Sequence, residues 1–177
     1  DRIMQDGIRR MYGENQENVF YYLTVMNENY AMPAMPEGAE EGIRKGIYKL
    51  ESYAGDKSKV QLMGSGTIMN EVRKAATILS EDYGIASDVF SVTSFNELTR
   101  DGQAVERDNM LHPEADAKVP YIAEVMGSEP AIAATDYMKN YAEQVRAFMP
   151  SESYKVLGTD GFGRSDSREN LRRHFEV

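Results

Sequence analysis

A strand, a glycine turn, a helix and a second strand follow one another without a gap between residues 59 and 92, and that succession leaves few folds open. Lys59 to Met63 (KVQLM) is a β-type run that leads straight into Gly64-Ser65-Gly66. Ile68, Val72, Ala75, Ala76, Leu79 and Tyr83 then recur on one helical face, a spacing that predicts a buried amphipathic helix. Thr67 is placed to cap its start, and Gly84 to take the left-handed position at its end. Ser87 to Val92 (SDVFSV) is the next strand. Short links through a helix set two such strands parallel in one sheet.

The same rhythm extends over the chain. Gly46 to Ser52 (GIYKLES), Pro130 to Thr135 (PAIAAT) and Tyr154 to Gly158 (YKVLG) read as further strands. Asp136 is expected to cap a helix whose Met138, Tyr141, Ala142, Val145 and Phe148 share one face, ending before Pro150. Val119 to Met126 reads as a short helix with Pro120 in its first turn. Asp166 and Glu169 have the spacing of a capping box for a last helix carrying Leu171 and Phe175. Asn96 to Met110 is polar with scattered apolar residues and reads as helical turns and loop. The outcome is an α/β fold of three layers, a mostly parallel (mixed) sheet flanked by helices.

Upstream, Ile3, Met4, Ile8 and Met11 predict a short helix closed at Gly13, and Val19 to Met26 (VFYYLTVM) reads as a buried strand. The segment Asn29 to Gly38 holds two prolines and a glycine and reads as an ordered linker, with a long loop inside one domain as the alternative.

Composition narrows the chemistry. The 177 residues suggest one full domain with additional pieces. With no Cys, disulfides, thiolate nucleophiles and cysteine-ligated metals are excluded, and two histidines, His112 and His174, make a multi-histidine metal site improbable. A net charge of −9 without a basic stripe argues against nucleic acid as a partner. No apolar run is long enough to span a membrane. The first residues (DRIMQD) resemble no leader segment, from which a cytoplasmic location is expected, and the missing initiator Met suggests a piece of a longer chain.

No motif completes an active site. Gly64-Ser65-Gly66 stands where a dinucleotide fingerprint would, but Met69 replaces its third glycine and Val92-Thr93-Ser94 supplies no acid for a ribose. A tight strand-to-helix turn is favoured over a nucleotide site. In Gly158 to Asp166 (GTDGFGRSD), three glycines allow close backbone approach and the fork of Arg164 could hold a carboxylate or phosphate. A structural loop facing a neighbouring domain is equally compatible with that segment. His112 has no nucleophile motif to serve, and Glu40/Glu41 and Asp160/Asp166 read as solvated acids.

Several segments resemble the homodimeric pyruvate dehydrogenase family, the first component of the bacterial pyruvate dehydrogenase complex. They are Asn27-Glu28-Asn29-Tyr30, Met32 to Gly38, Glu40 to Gly46, Ser91 to Phe95 with Glu97-Leu98, and Gly158 to Leu171 (GTDGFGRSDSRENL). The resemblance runs nearly end to end. It implies a transketolase-like thiamine diphosphate enzyme, with residues 1–33 the end of the middle, pyrimidine-binding domain and 34–177 a C-terminal domain cut short at its far end. It also implies a parent that decarboxylates pyruvate on thiamine diphosphate and Mg²⁺ and passes the acetyl unit to lipoyl groups, as a homodimer working with the dihydrolipoamide acetyltransferase component. The family's diphosphate motif and its middle-domain glutamate are absent, so no catalytic, cofactor or metal role is carried onto this chain. The chain is expected to be inactive alone and to support the dimer. A module that binds the acetyltransferase, or a nucleotide-binding module, are the alternatives. Asn29, Tyr30, Met32, Met35, Asp160, Phe162, Arg164 and Asp166 are the candidate interdomain or subunit contacts.

Overall fold

The computed structural model describes residues 1–26 and 29–177; Asn27 and Glu28, which open one of the resemblance segments, lie outside the described residues. Five strands form one sheet in the order β1 (Ile47–Tyr53), β3 (Ala86–Val92), β2 (Lys59–Gly64), β4 (Ala131–Met138), β5 (Tyr154–Thr159). Neighbours pair in parallel except β1, which runs antiparallel to β3, so the sheet is mixed as expected. Around it lie α1 (Arg2–Tyr12), α2 (Glu40–Lys45), α3 (Met69–Glu81), α4 (Phe95–Leu111), α5 (Tyr121–Val125), α6 (Lys139–Glu143) and α7 (Arg168–Phe175).

Two apolar layers cover the two faces of the sheet, because its inner strands are buried on both sides. One gathers Ile47, Met63, Phe90, Leu98, Ile122, Val145 and Phe148 against α4, α5 and α6. The other packs Leu62, Val89 and Ala134 under Ile68, Met69, Val72 and Ala76 of α3 and its first turn. Gly64 lets α3 close onto β2, since a Cβ there would stand 3.0 Å from Met69 and 3.1 Å from Val72. Gln61 crosses the core with its amide satisfied: it donates to the carbonyls of Gly127 (2.9 Å) and Glu129 (3.1 Å) and accepts from the Gly127 N–H (2.8 Å).

Several expectations are corrected. Residues 19–26 form no strand; a strand needs a hydrogen-bonding neighbour, and this run lies along neither sheet edge. Its Phe20, Tyr22 and Val25 are 86%, 80% and 88% exposed, while Tyr21 packs over Gly7 of α1 and donates to Asp6 at 2.6 Å. Residues 95–111 are one continuous helix rather than turns, started by the Ser94 hydroxyl accepting from the Glu97 N–H at 3.1 Å. Asp136 caps no helix. It stays in β4, which runs on until Met138 pairs with Thr159, and the expected long helix divides into α6 and a 3₁₀ turn at Arg146–Phe148. Within the face expected for that helix, Ala142, Val145 and Phe148 are buried but Met138 and Tyr141 are exposed. The last helix is capped by Ser167, whose hydroxyl accepts from the Asn170 N–H, while Asp166 holds the Ser167 N–H and the Asn170 amide. Gly84 is left-handed as expected, with φ +67°.

Asp88, at the middle of the strand triplet β1-β3-β2, links all three. Lys49 of β1 and Lys59 of β2 each approach its carboxylate at 2.7 Å, and Ser52 donates to it at 2.7 Å. Burial by itself would raise its pKa; the three hydrogen bonds outweigh that and hold it down to about 2. A carboxylate depressed in the folded state stabilises fully above the ordinary aspartate range, and the contribution is lost as the pH falls through the folded value. Asp88→Asn is therefore expected to cost about 2 kcal/mol at neutral pH and to cost progressively less between about pH 4 and pH 2. Urea titrations across that range check it; an equal cost at both ends would show that Asp88's charge carries none of it.

Candidate binding site at the carboxyl edge of the sheet

The carboxyl ends of β2, β4 and β5 open into a cavity of about 210 Å³. Its position follows from the strand order. β2 sends its chain through α3 to β3 on one side, while β4 lies against β2 on the other, so the two connections part and leave a crevice where α/β sheets commonly receive ligands. The roof is α7 with the loop that precedes it.

Each strand end delivers a hydroxyl. Thr67 follows β2 in a 3₁₀ turn (Gly66–Ile68) that Gly66 enters at φ +61°, a left-handed backbone that suits glycine. Thr67 does not cap the helix, because it lies inside this turn and Ile68 takes the position before Met69; its hydroxyl donates to Asp136 at 3.3 Å. Ser65 donates to Thr135 at 3.1 Å, tying the ends of β2 and β4 together, and the Thr135 oxygen also accepts from the Tyr137 N–H. Thr159 closes β5 and lines the cavity with Thr67, Thr135 and Asp136.

Three guanidinium groups complete the lining: Arg164 from the loop, and Arg168 and Arg172 one turn apart on α7. Arg172 is braced by Glu71 at 2.8 Å, and Arg168 donates to the Tyr30 hydroxyl at 2.8 Å. Phe175 and Leu171 supply apolar wall.

Of the residues named from the sequence, Arg164 lines this cavity and Tyr30 reaches its rim through Arg168. The others do not converge there. Asp160 pairs with Lys139 at 2.9 Å, which lowers its pKa, and Asp166 is spent on the cap of α7. Phe162 is 94% and Met32 85% exposed, and Asn29 and Met35 also face solvent. Glu40 pairs with Arg2, and Glu41 with Lys45. His112 lies on the surface, its Nδ1 3.3 Å from the Asp108 carboxylate, and His174 is exposed, its ring edge-on to Phe175. Sequence reasoning missed Arg168 and Arg172. Their signal was present in the 168, 172 spacing, which places both arginines on one side of a helix. Among the described residues no group of His, Asp or Glu is arranged to hold a metal ion, and no helix is long and apolar enough to cross a membrane.

Residues 46–177 match the model of the transketolase-like TK C-terminal domain, and the chain belongs to that family. Residues 1–33 match the model of the pyruvate dehydrogenase E1 component middle domain. The chain is similar to the pyruvate dehydrogenase E1 component of Escherichia coli K12, 70% identical over 175 residues, which are 99% of this chain and 20% of that protein. The Haemophilus influenzae pyruvate dehydrogenase E1 component is 64% identical over 177 residues, again 99% of this chain and 20% of that protein. The chain thus spans about a fifth of the length of the curated relatives it matches. Among solved structures, a transketolase from Campylobacter jejuni aligns with 82% of this chain and 18% of its own, at 17% identity and a TM-score of 0.49.

Proposed function

We propose that this chain is the structural, dimer-supporting portion of a cytoplasmic pyruvate dehydrogenase. The parent enzyme decarboxylates pyruvate on thiamine diphosphate and Mg²⁺ and hands the acetyl unit to lipoyl groups of the acetyltransferase component. The observation that carries this reading is the 70% identity to the Escherichia coli pyruvate dehydrogenase E1 component across 99% of the chain. Thiamine diphosphate supplies the carbanion chemistry in such enzymes.

Within the chain we place the boundary after Pro33, with 1–33 belonging to the middle domain and 34–177 to the C-terminal domain. Two facts support this. The two family models meet the chain on either side of that position, and neither core cluster has a member before Ile47. Phe20, Tyr22, Leu23, Val25 and Met26 of the apolar run Val19–Met26 are exposed, a surface suited to cover by the remainder of a middle domain. Exposure of Met32, Met35, Asn29 and Phe162 supports their assignment, with Tyr30, Asp160, Arg164 and Asp166, to interdomain or subunit contacts.

Two chimeras test the reading: the Escherichia coli enzyme carrying this whole chain in place of its matching segment, and one carrying only 34–177. Both are expected to sediment as dimers and to oxidise pyruvate in the reconstituted complex. A folded whole-chain chimera that is monomeric or inactive overturns the functional assignment. Failure of the 34–177 chimera alone overturns the boundary.

A further inference from the structure

We infer that Asp160 is a site of spontaneous main-chain modification: the Asp160-Gly161 pair closes to a succinimide and reopens as isoaspartate, and the fold confines this reaction to that pair. The chain holds two other Asp-Gly pairs, Asp6-Gly7 and Asp101-Gly102. In the first step the Gly161 nitrogen attacks Cγ of the protonated Asp160 carboxyl. The nitrogen gives up its proton as the hydroxyl departs, so one water leaves and a five-membered ring forms. Water then adds back at one of the two ring carbonyls. Opening at the main-chain carbonyl leaves the chain running through Cβ and Cγ with a free α-carboxylate, and opening at Cγ restores aspartate. The mass is unchanged, and water is the only co-reactant.

Ring closure needs a carboxyl that can swing onto the next nitrogen, and a nitrogen that neither bulk nor a hydrogen bond guards. Glycine lowers the steric barrier in all three pairs. Only Asp160-Gly161 meets the other conditions. It follows the end of β5 outside any helix or strand, with both residues exposed. The Gly161 N–H has no hydrogen-bond partner among the described residues, and a Cβ built on Gly161 meets nothing within 4 Å. The Asp160 carboxylate is held by Lys139 at 2.9 Å, but its side chain is 62% exposed, and surface ion pairs of this kind restrain weakly.

The other two pairs are locked. Gly7 and Gly102 lie inside α1 and α4, where the nitrogen donates to the carbonyl four residues back and the backbone cannot turn to close a ring. Asp6 accepts from the Tyr21 hydroxyl at 2.6 Å and from Arg9 at 2.6 Å, with the Tyr21 ring over Gly7. Asp101 accepts from the Tyr121 N–H at 2.7 Å, and Gly102 is buried against Phe148. Lys139 sets the pace at the open pair. Its hydrogen bond holds the Asp160 carboxyl below the usual carboxylate range, so the neutral form that reacts is scarce near neutral pH and grows as the pH falls. Isoaspartate adds a methylene to the main chain at the root of the loop that carries Arg164 and leads to α7. Asp160 is also among the proposed interdomain or subunit contacts; the reaction rests on the openness of the loop in this chain, and a neighbouring domain seated on the loop would slow it.

Incubation of the full chain at physiological temperature and about pH 6, followed by tryptic digestion, tests this. Peptides 3–9, 101–107 and 156–164 carry the three pairs, and electron-transfer fragmentation separates isoaspartate from aspartate in each. In the folded chain, isoaspartate at Asp160 is expected to exceed that at Asp6 and Asp101 by about tenfold or more, whereas in urea the three are expected to react within about threefold of one another. Gly161→Ala, at an exposed position with open space around it, is expected to slow the reaction at Asp160 about tenfold without lowering the melting temperature. Comparable isoaspartate at all three pairs of the folded chain overturns the proposal, as does its absence at Asp160 or an unchanged rate in Gly161→Ala.

Discussion

Replacing Gly102 by valine is expected to destabilise the fold by about 3 kcal/mol, and the reason lies wholly in packing. Gly102 is buried in the middle of α4, where glycine itself costs about 1 kcal/mol relative to alanine. Propensity alone therefore favours substitution. In the fold, however, a Cβ at this position would lie 2.4 Å from two atoms of the Phe148 ring and 2.7 Å from a third. Phe148 is itself 8% exposed and wedged in the core with Val145 and Tyr154, so the ring has little room to retreat. Gly102→Ala is expected to fall between the parent and Gly102→Val, and pairing Gly102→Val with Phe148→Leu to recover part of the loss through a measurable coupling. Urea midpoints of the four proteins decide it. If Gly102→Val unfolds at the parent's midpoint, the contact of α4 with Phe148 is not as described.

The larger loss is expected from Leu98→Ala, about 3 to 4 kcal/mol. Leu98 is fully buried on α4 and touches the left-handed turn at Gly46, where its Cγ would be 3.0 Å from an added Cβ. It therefore fills the angle between the start of β1 and the helix layer, and α4, anchored at its own Ser94 cap, cannot slide to fill the void. Leu98→Met, which nearly conserves volume, is expected to cost less than about 1.5 kcal/mol. Denaturant unfolding of both variants, with unchanged slope, is the check. Similar costs for the two would mean that the site tolerates a cavity and that the α4 layer is loosely held.

These two sites also show why α4 was illegible as a helix. Its buried face is Phe95, Leu98, Thr99 and Gly102, an i, i+3, i+4, i+7 stripe in which a polar threonine and a glycine occupy core positions. Thr99 is accommodated because its hydroxyl donates back to the Phe95 carbonyl at 2.9 Å, and Gly102 because Phe148 needs the space. Neither reason can be read from residues 95–111 alone. The helix after β2 was legible for the opposite reason: Val72, Ala76 and Leu79 of its expected stripe are aliphatic and pack inward, although Ala75 and Tyr83 are exposed, and the glycine that follows it does adopt positive φ.

Asp136 and Asp166 failed as predicted caps for a related cause. Both have a side chain suited to capping, but Asp136 stays inside β4, where Thr67 from the turn after the neighbouring β2 donates to it, and Ser167, one residue on, takes the cap that Asp166 merely supports. The run Val19–Met26 has the composition of a strand and yet lies unpaired, since β-structure depends on a neighbour and composition supplies only half of the pair.

What the sequence alone determined was the class of fold, the position of the five runs that do form the sheet, the exclusion of thiol chemistry and the kinship with a thiamine diphosphate enzyme family. Each of these rests on local periodicity, residue inventory or extended similarity. Tertiary structure alone decided the strand order, the antiparallel edge at β1 and the triple bridge at Asp88. It also brought Thr67, Asp136, Thr159 and three arginines, drawn from segments about a hundred residues apart, to the rim of one crevice. Charge and hydroxyl groups become a site only when they share a concave, partly desolvated space, and that proximity is a property of how the chain closes rather than of its order.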